Sequence, residues 1–160
     1  MKRPLLTLFR HCALRSLEGG AATGLLPLGQ FRSALVIVDA AEGEEAVAKV
    51  SRSVRQFFEY QGIPVQIAAP SRKELDLIGR PKRKLREALA AGADLLVCLD
   101  ASPDGFTAEY LSRTVPARFK VGCRALEGNV YDLVVAPPEG GAGGQAAAFA
   151  AIRDILVKIR

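Results

Sequence analysis

The sequence predicts an α/β fold, a three-layer α/β/α domain of Rossmann-like or flavodoxin-like type with a mostly parallel sheet of about five strands and a basic N-terminal helix. Three observations predict it. Short, wholly apolar runs such as Ala34–Val38 and Ala93–Leu99 have the pattern of parallel strands covered on both faces. Helical patterns separate these runs, as crossover connections between parallel strands require. Glycines at positions 62 and 92 stand where the helices must stop.

In chain order, residues 1–33 form a basic helix and linker, and residues 34–160 a single Rossmann-like domain. The first strand is Ala34–Val38. Asp39-Ala40-Ala41-Glu42 has the form of a capping box, which opens a helix with Val47, Val50, Val54, Phe57 and Phe58 at three- and four-residue spacing. Ile63–Ala69 is the second strand. Residues 70–81 admit two readings, a short helix capped through Ser71-Arg72-Lys73-Glu74 or an extended edge at Leu75–Ile78. Pro81–Ala91 reads as a helix with proline in its first turn and Gly92 after its last. Ala93–Leu99 is the next strand, and a helix from Ser102-Pro103 reaches Thr114. Arg118–Gly122 and Tyr131–Val135 are the last strands. Gly140–Gly144 leads as a connector into a closing helix with Phe149, Ile152, Ile155, Leu156 and Ile159.

The 160 residues suffice for one core without staples. Cys12, Cys98 and Cys123 are odd in number and widely spaced, which fits reduced thiols and a cytoplasmic location. No apolar run approaches the roughly 20 residues that span a bilayer. Residues 1–17 contain arginines and no acid; Arg10, His11 and Arg15 interrupt the apolar stretch, so it fails as a signal peptide. A mitochondrial presequence shares this pattern. The plainer reading is an amphipathic helix with Leu5, Leu8, Phe9 and Cys12 on one side, docked on the domain, on a partner or on a membrane surface.

The glycine run has no Gly-Lys-Ser/Thr ending and no GxGxxG register, so no nucleotide fingerprint is present. His11 is the only histidine, which leaves a Ser-His-Asp system without an internal base. Asp39 and Asp100 end the first and third strands, where open α/β sheets bind ligands. Two carboxylates there suit a hard cation such as Mg²⁺, as in a phospho-receiver domain, but the lysine that family needs after its last strand is replaced by Ala136-Pro137-Pro138. The competing reading makes Asp39 a helix cap and Asp100 the organiser of the Ser-Pro turn.

Net charge is +5, from 22 Lys and Arg against 17 Asp and Glu, and it is unevenly spread. Lys2, Arg3, Arg10 and Arg15 mark the leader. Arg80, Lys82, Arg83, Lys84 and Arg86 form a second group, and Arg118, Lys120 and Arg124 a third. Such clusters suit phosphate contacts. With no Trp and only Phe119 inside the third group, base stacking on a sheet is not indicated.

The segments Asp76–Pro81, Ala93–Asp100, Ala117–Gly122 and Tyr131–Val135, in that order and spacing, resemble a family of small bacterial α/β proteins of unassigned function, which also carry a basic leader. More distantly, Ala93–Gly122 is similar to the N-terminal half of the heptosyltransferase-like (ninth-family) glycosyltransferases. That resemblance implies a shared acceptor-side fold. Those enzymes hold their sugar nucleotide mainly through a second half without counterpart in these 160 residues, so fold and not sugar transfer is expected to carry over.

The expected function is that of a non-catalytic, cytoplasmic binding protein that needs no cofactor. Its basic surface meets RNA or a ribonucleoprotein such as the ribosome, or else an acidic protein partner. The alternative is a Mg²⁺-dependent or small-ligand enzyme using Asp39 and Asp100.

Overall fold

A computed structural model describes residues 3–15, 26–100, 102, 105–137 and 144–159. The helices are α1 (Arg3–Arg15), α2 (Glu44–Tyr60), α3 (Arg83–Leu89), α4 (Phe106–Thr114) and α5 (Gly144–Leu156). The strands are β1 (Ala34–Ile37), β2 (Val65–Ala68), β3 (Ala93–Cys98), β4 (Ala117–Gly122) and β5 (Leu133–Val134). They form one parallel sheet in the order β2-β1-β3-β4-β5. Ala34 is in register with Val65 on one side and Leu95 on the other, and Val97 with Val121. The strand order reverses between β1 and β3, which fixes where a ligand crevice opens.

Side chains alternate across the sheet, and each face is covered. Ala34, Val36, Val38, Leu95, Val97, Phe119 and Val121 face a core shared with Val50, Val54 and Phe58 of α2 and Phe149 and Ile152 of α5. Phe57 meets Phe149 edge-on at 5.8 Å between ring centroids. Leu35, Ile37, Leu96 and Cys98 face the other way, onto Leu85 and Leu89 of α3 and Ala108 and Leu111 of α4. This double covering is why the strands read as continuous apolar runs instead of alternating ones. Fully buried side chains such as Phe58 and Leu96 each stabilise the fold by about 1.5–3 kcal/mol.

Several element boundaries differ from the sequence expectation. The helix expected from Asp39 begins at Glu44. A separate 3-10 turn, Ala40–Glu42, comes first, and Gly43 at φ 100° breaks the two apart in a conformation that favours glycine. Glu42 does not complete a capping box, because the Asp39 N–H donates instead to Gln145 Oε1 at 2.7 Å. The capping box forms at Ser71–Glu74, around a 3-10 turn over Arg72–Glu74. Beyond it, Leu75 and Pro81 form an isolated antiparallel bridge that closes a loop with Leu77 and Ile78 in its turn, so the capped turn forms and no extended edge runs over Leu75–Ile78. Pro81 is thereby held outside α3, which starts only at Arg83. Gly105 precedes α4, which starts at Phe106; Pro103, where a start was expected, lies outside the described residues. β5 is shortened to Leu133–Val134, and α5 ends at Leu156 with Ile159 packed on the core beyond it. Of the glycine run, 140–143 lie outside the described residues.

The basic N-terminal helix forms as α1, but its orientation differs from a simple amphipathic docking. Leu5, Leu8 and Phe9 are 49%, 55% and 52% exposed, so the apolar side is left open. Arg10 makes two contacts with the domain. Its Nε donates to the Ile78 carbonyl at 2.8 Å, and its guanidinium lies 5.1 Å from the Phe106 ring centroid. Among the described residues no helix is long and apolar enough to cross a membrane.

Candidate functional site

Alternation along a strand places Asp39 on the same face as Ile37, and Asp100 on the same face as Cys98, which is the side covered by α3 and α4. Both residues follow strands that flank the reversal point. They line one cavity of about 340 Å³ together with Ile37, Ser71, Arg72 and Thr107.

The two carboxylates are fixed by local backbone. Asp39 Oδ1 accepts from the Ala41 N–H at 2.9 Å, capping the 3-10 turn. Asp100 Oδ1 accepts from the Ser102 N–H at 2.8 Å. Its other oxygen lies where only a glycine fits: a Cβ on Gly105 would stand 2.7 Å from Oδ2. Burial pushes the Asp100 carboxyl above its ordinary range, and the nearby Asp39 and Glu42 add to the shift, while the Ser102 N–H and Arg124 oppose it. Among the described residues, no three His, Cys, Asp or Glu side chains are grouped so as to hold a metal ion.

Gln145, in the first turn of α5, is the residue that orders this end of the sheet. It is buried; its Oε1 accepts from the Asp39 N–H at 2.7 Å and its Nε2 donates to the Asp39 carbonyl at 2.9 Å. The side-chain amide thus takes the place of a neighbouring strand. Nothing in the sequence marks Gln145, because the partner is 106 positions away.

A second cavity, of about 480 Å³, adjoins the first and shares Arg72, Leu75 and Thr107 with it. Arg10 of α1 and Lys82, just before α3, complete a set of three cations around it with Arg72. None of the three has an ion-pair partner among the described residues. The one acid on its wall, Asp76, is already committed: it accepts from the Ile78 N–H, the Arg80 N–H and Arg80 Nε at 3.0, 2.9 and 2.8 Å. Burial raises the Asp76 carboxyl, but these bonds and the Arg80 charge outweigh it and hold it below the ordinary range. Arg72 was not among the expected phosphate contacts, although it belongs to the basic stretch 71–87; the further signal was its place in the loop after the second strand, at the ligand-binding end of the sheet.

The other expected phosphate contacts are placed as follows. Arg83 pairs with Glu87 at 2.7 Å on the exposed surface of α3, where Lys84 and Arg86 are also exposed. Arg80 is held by Asp76. Arg3 and Arg15 begin and end α1, and Lys2 lies outside the described residues. The third group is not brought together. Arg118, at the start of β4, is 4.0 Å from Asp94 and donates to the Gln30 carbonyl at 3.1 Å, at the end of the sheet opposite the cavities. Lys120 points under α4, where its Nζ donates to the Ser112 carbonyl at 2.6 Å; burial lowers its affinity for a proton while Asp132 opposes that. Arg124 lies beyond β4, with a buried Nε that has no hydrogen-bond partner.

The thiols are built into the core. Cys98 and Cys123 are buried, and Cys123 Sγ donates to the Cys98 carbonyl at 3.4 Å. Burial raises both, with Cys123 pushed up to about 12 by burial, Cys98 and Asp100, so neither is a thiolate nucleophile near neutral pH. Tyr131 packs against Gly122, which leaves no room for a Cβ, and its hydroxyl meets Ser112 Oγ at 2.8 Å.

Compared with protein-family models and with characterised proteins, the sequence matches none.

Proposed function

We propose that this chain is a binding protein whose basic surface takes RNA, free or in a ribonucleoprotein such as the ribosome. One observation carries the proposal: Arg10, Arg72 and Lys82 converge on one cavity at the ligand-binding end of the sheet without carboxylate partners among the described residues. Unpaired cations in a concave site focus positive potential and favour a phosphate backbone. Lys84 and Arg86 extend the positive surface along α3. Arg118 and Lys120, engaged elsewhere, contribute little to it.

The test is the salt dependence of binding to a labelled single-stranded RNA, followed by fluorescence anisotropy. Log Kobs is expected to fall with log salt at a slope of about −0.7 for each phosphate neutralised. Arg72→Gln and Lys82→Gln should each make the slope shallower by about one such increment. Absence of binding at low salt overturns the proposal.

A second reading, a Mg²⁺ or small-ligand site, is favoured by the shared cavity of Asp39 and Asp100. It predicts that Asp39→Asn or Asp100→Asn abolishes Mg²⁺ binding in a folded protein. Retained folding with no Mg²⁺ binding by the unaltered chain removes it.

A further inference from the structure

We propose that the two adjoining cavities form one composite site for a ribonucleotide carrying a terminal phosphate monoester, with the phosphate among Arg10, Arg72 and Lys82 and the ribose hydroxyls against Asp39 and Asp100. The inference builds on the basic surface proposed above and names the part of the ligand that this surface selects.

Shape is the first reason. An internal phosphodiester follows the strand along an open surface, whereas these three cations line a half-open cavity of about 480 Å³. Charge is the second. A monoester carries about −1.5 to −2 near neutral pH and offers three terminal oxygens, while a diester has a single negative charge. Three cations whose one neighbouring acid, Asp76, is paired with Arg80 fit the monoester. Arg10 is held in place for this role: one of its five N–H donors is spent on the Ile78 carbonyl, which leaves the others for oxygen acceptors.

The neighbouring cavity supplies the complementary chemistry. Its volume of about 340 Å³ and the shared wall of Arg72 and Thr107 put carboxylate acceptors next to the cationic chamber. Each carboxylate uses one oxygen on a backbone N–H, Asp39 at Ala41 and Asp100 at Ser102; the second oxygen of Asp39 is left for a ligand hydroxyl, while that of Asp100 lies against Gly105. A sugar with vicinal hydroxyls is the part of a nucleotide that donates to paired acids. The crevice lies at the strand-order reversal, where open α/β sheets hold nucleotides.

The experiment uses the full chain and one short single-stranded RNA in three forms: 5′-phosphorylated, 3′-phosphorylated and hydroxyl at both ends. Affinities are read by anisotropy, and free adenosine monophosphate is titrated separately by calorimetry. One phosphorylated form is expected to bind about tenfold or more tightly than the hydroxyl form, which also tells which end is taken. Arg72→Gln and Lys82→Gln, at exposed positions that do not support the core, should erase that preference while circular dichroism stays unchanged. Equal affinities of all three RNAs, with no uptake of free monophosphate, overturn the inference and leave RNA binding standing. Uptake of free monophosphate without any RNA binding does the reverse: it supports the composite site and overturns the RNA proposal. Failure of every ligand overturns both.

Discussion

Gln145 holds Asp39 by both sides of its peptide backbone, accepting from its N–H at 2.7 Å and donating to its carbonyl at 2.9 Å. β1 ends at Ile37, two residues earlier, so this amide satisfies backbone groups that no strand reaches. It also fixes the direction in which the chain leaves the sheet, and therefore where the Asp39 carboxylate stands.

Replacing Gln145 by Leu keeps the volume and removes both bonds. Two part-buried backbone groups are left unpaired, and at about 1–3 kcal/mol for a buried unsatisfied group the expected loss is at least about 2 kcal/mol. Urea unfolding measures it as a lower midpoint at unchanged slope. Gln145→Glu tests the assignment further, since it keeps an acceptor for the N–H and removes the donor to the carbonyl; it should lose stability near neutral pH and regain part of it in acid. A Leu variant as stable as the parent would show the clamp to be incidental.

The layered sheet was legible in the sequence because its cause is local. Val36 and Leu35 are both apolar since each face of β1 has its own helix layer, and Val50 and Val54 repeat at helical spacing because one face of α2 is buried. The site was legible only in part. Asp39 and Asp100 follow from strand ends alone. The convergence of Arg10 with Arg72 and Lys82 does not, because it depends on how α1 seats against the Ile78 loop, 68 positions away. The reverse error befell the group at 118–124: closeness in sequence suggested one patch, but a strand spreads its residues along its length. Arg118 therefore reaches Asp94 at one end of β4 and Arg124 lies past the other.

Asp100 gives a pH dependence whose sign can be worked out. Burial and the neighbouring acids raise its folded-state value above the ordinary 3.8, so the folded protein holds this proton more tightly than the unfolded chain does. Its contribution is complete below 3.8 and is lost as pH rises through the folded-state value. Asn keeps an acceptor for the Ser102 N–H and carries no charge. Asp100→Asn should therefore raise Tm near neutral pH, and the gain over the parent should shrink as pH falls to about 4. A difference in Tm that is flat across this range would mean that the Asp100 carboxyl is not displaced by its surroundings.

Arg10 fastens α1 to the Ile78 loop and to α4, and this sets a test that the domain core should not feel. Its hydrogen bond to the Ile78 carbonyl and its position over the Phe106 ring hold the helix, while Leu5, Leu8 and Phe9 on the open side offer little packing. A hydrogen bond from a charged donor contributes about 1.5–3 kcal/mol and a cation–π contact about 0.5–1 kcal/mol. Removing both by Arg10→Ala should let α1 lift from α4 and fray, since a helix of 13 residues is marginal on its own. Amide exchange within α1 should accelerate by about tenfold or more, with β1 and β3 unchanged. Equal acceleration across α1 and the strands would instead mean that Arg10 supports the whole fold, and unchanged exchange in α1 would show that other contacts seat the helix.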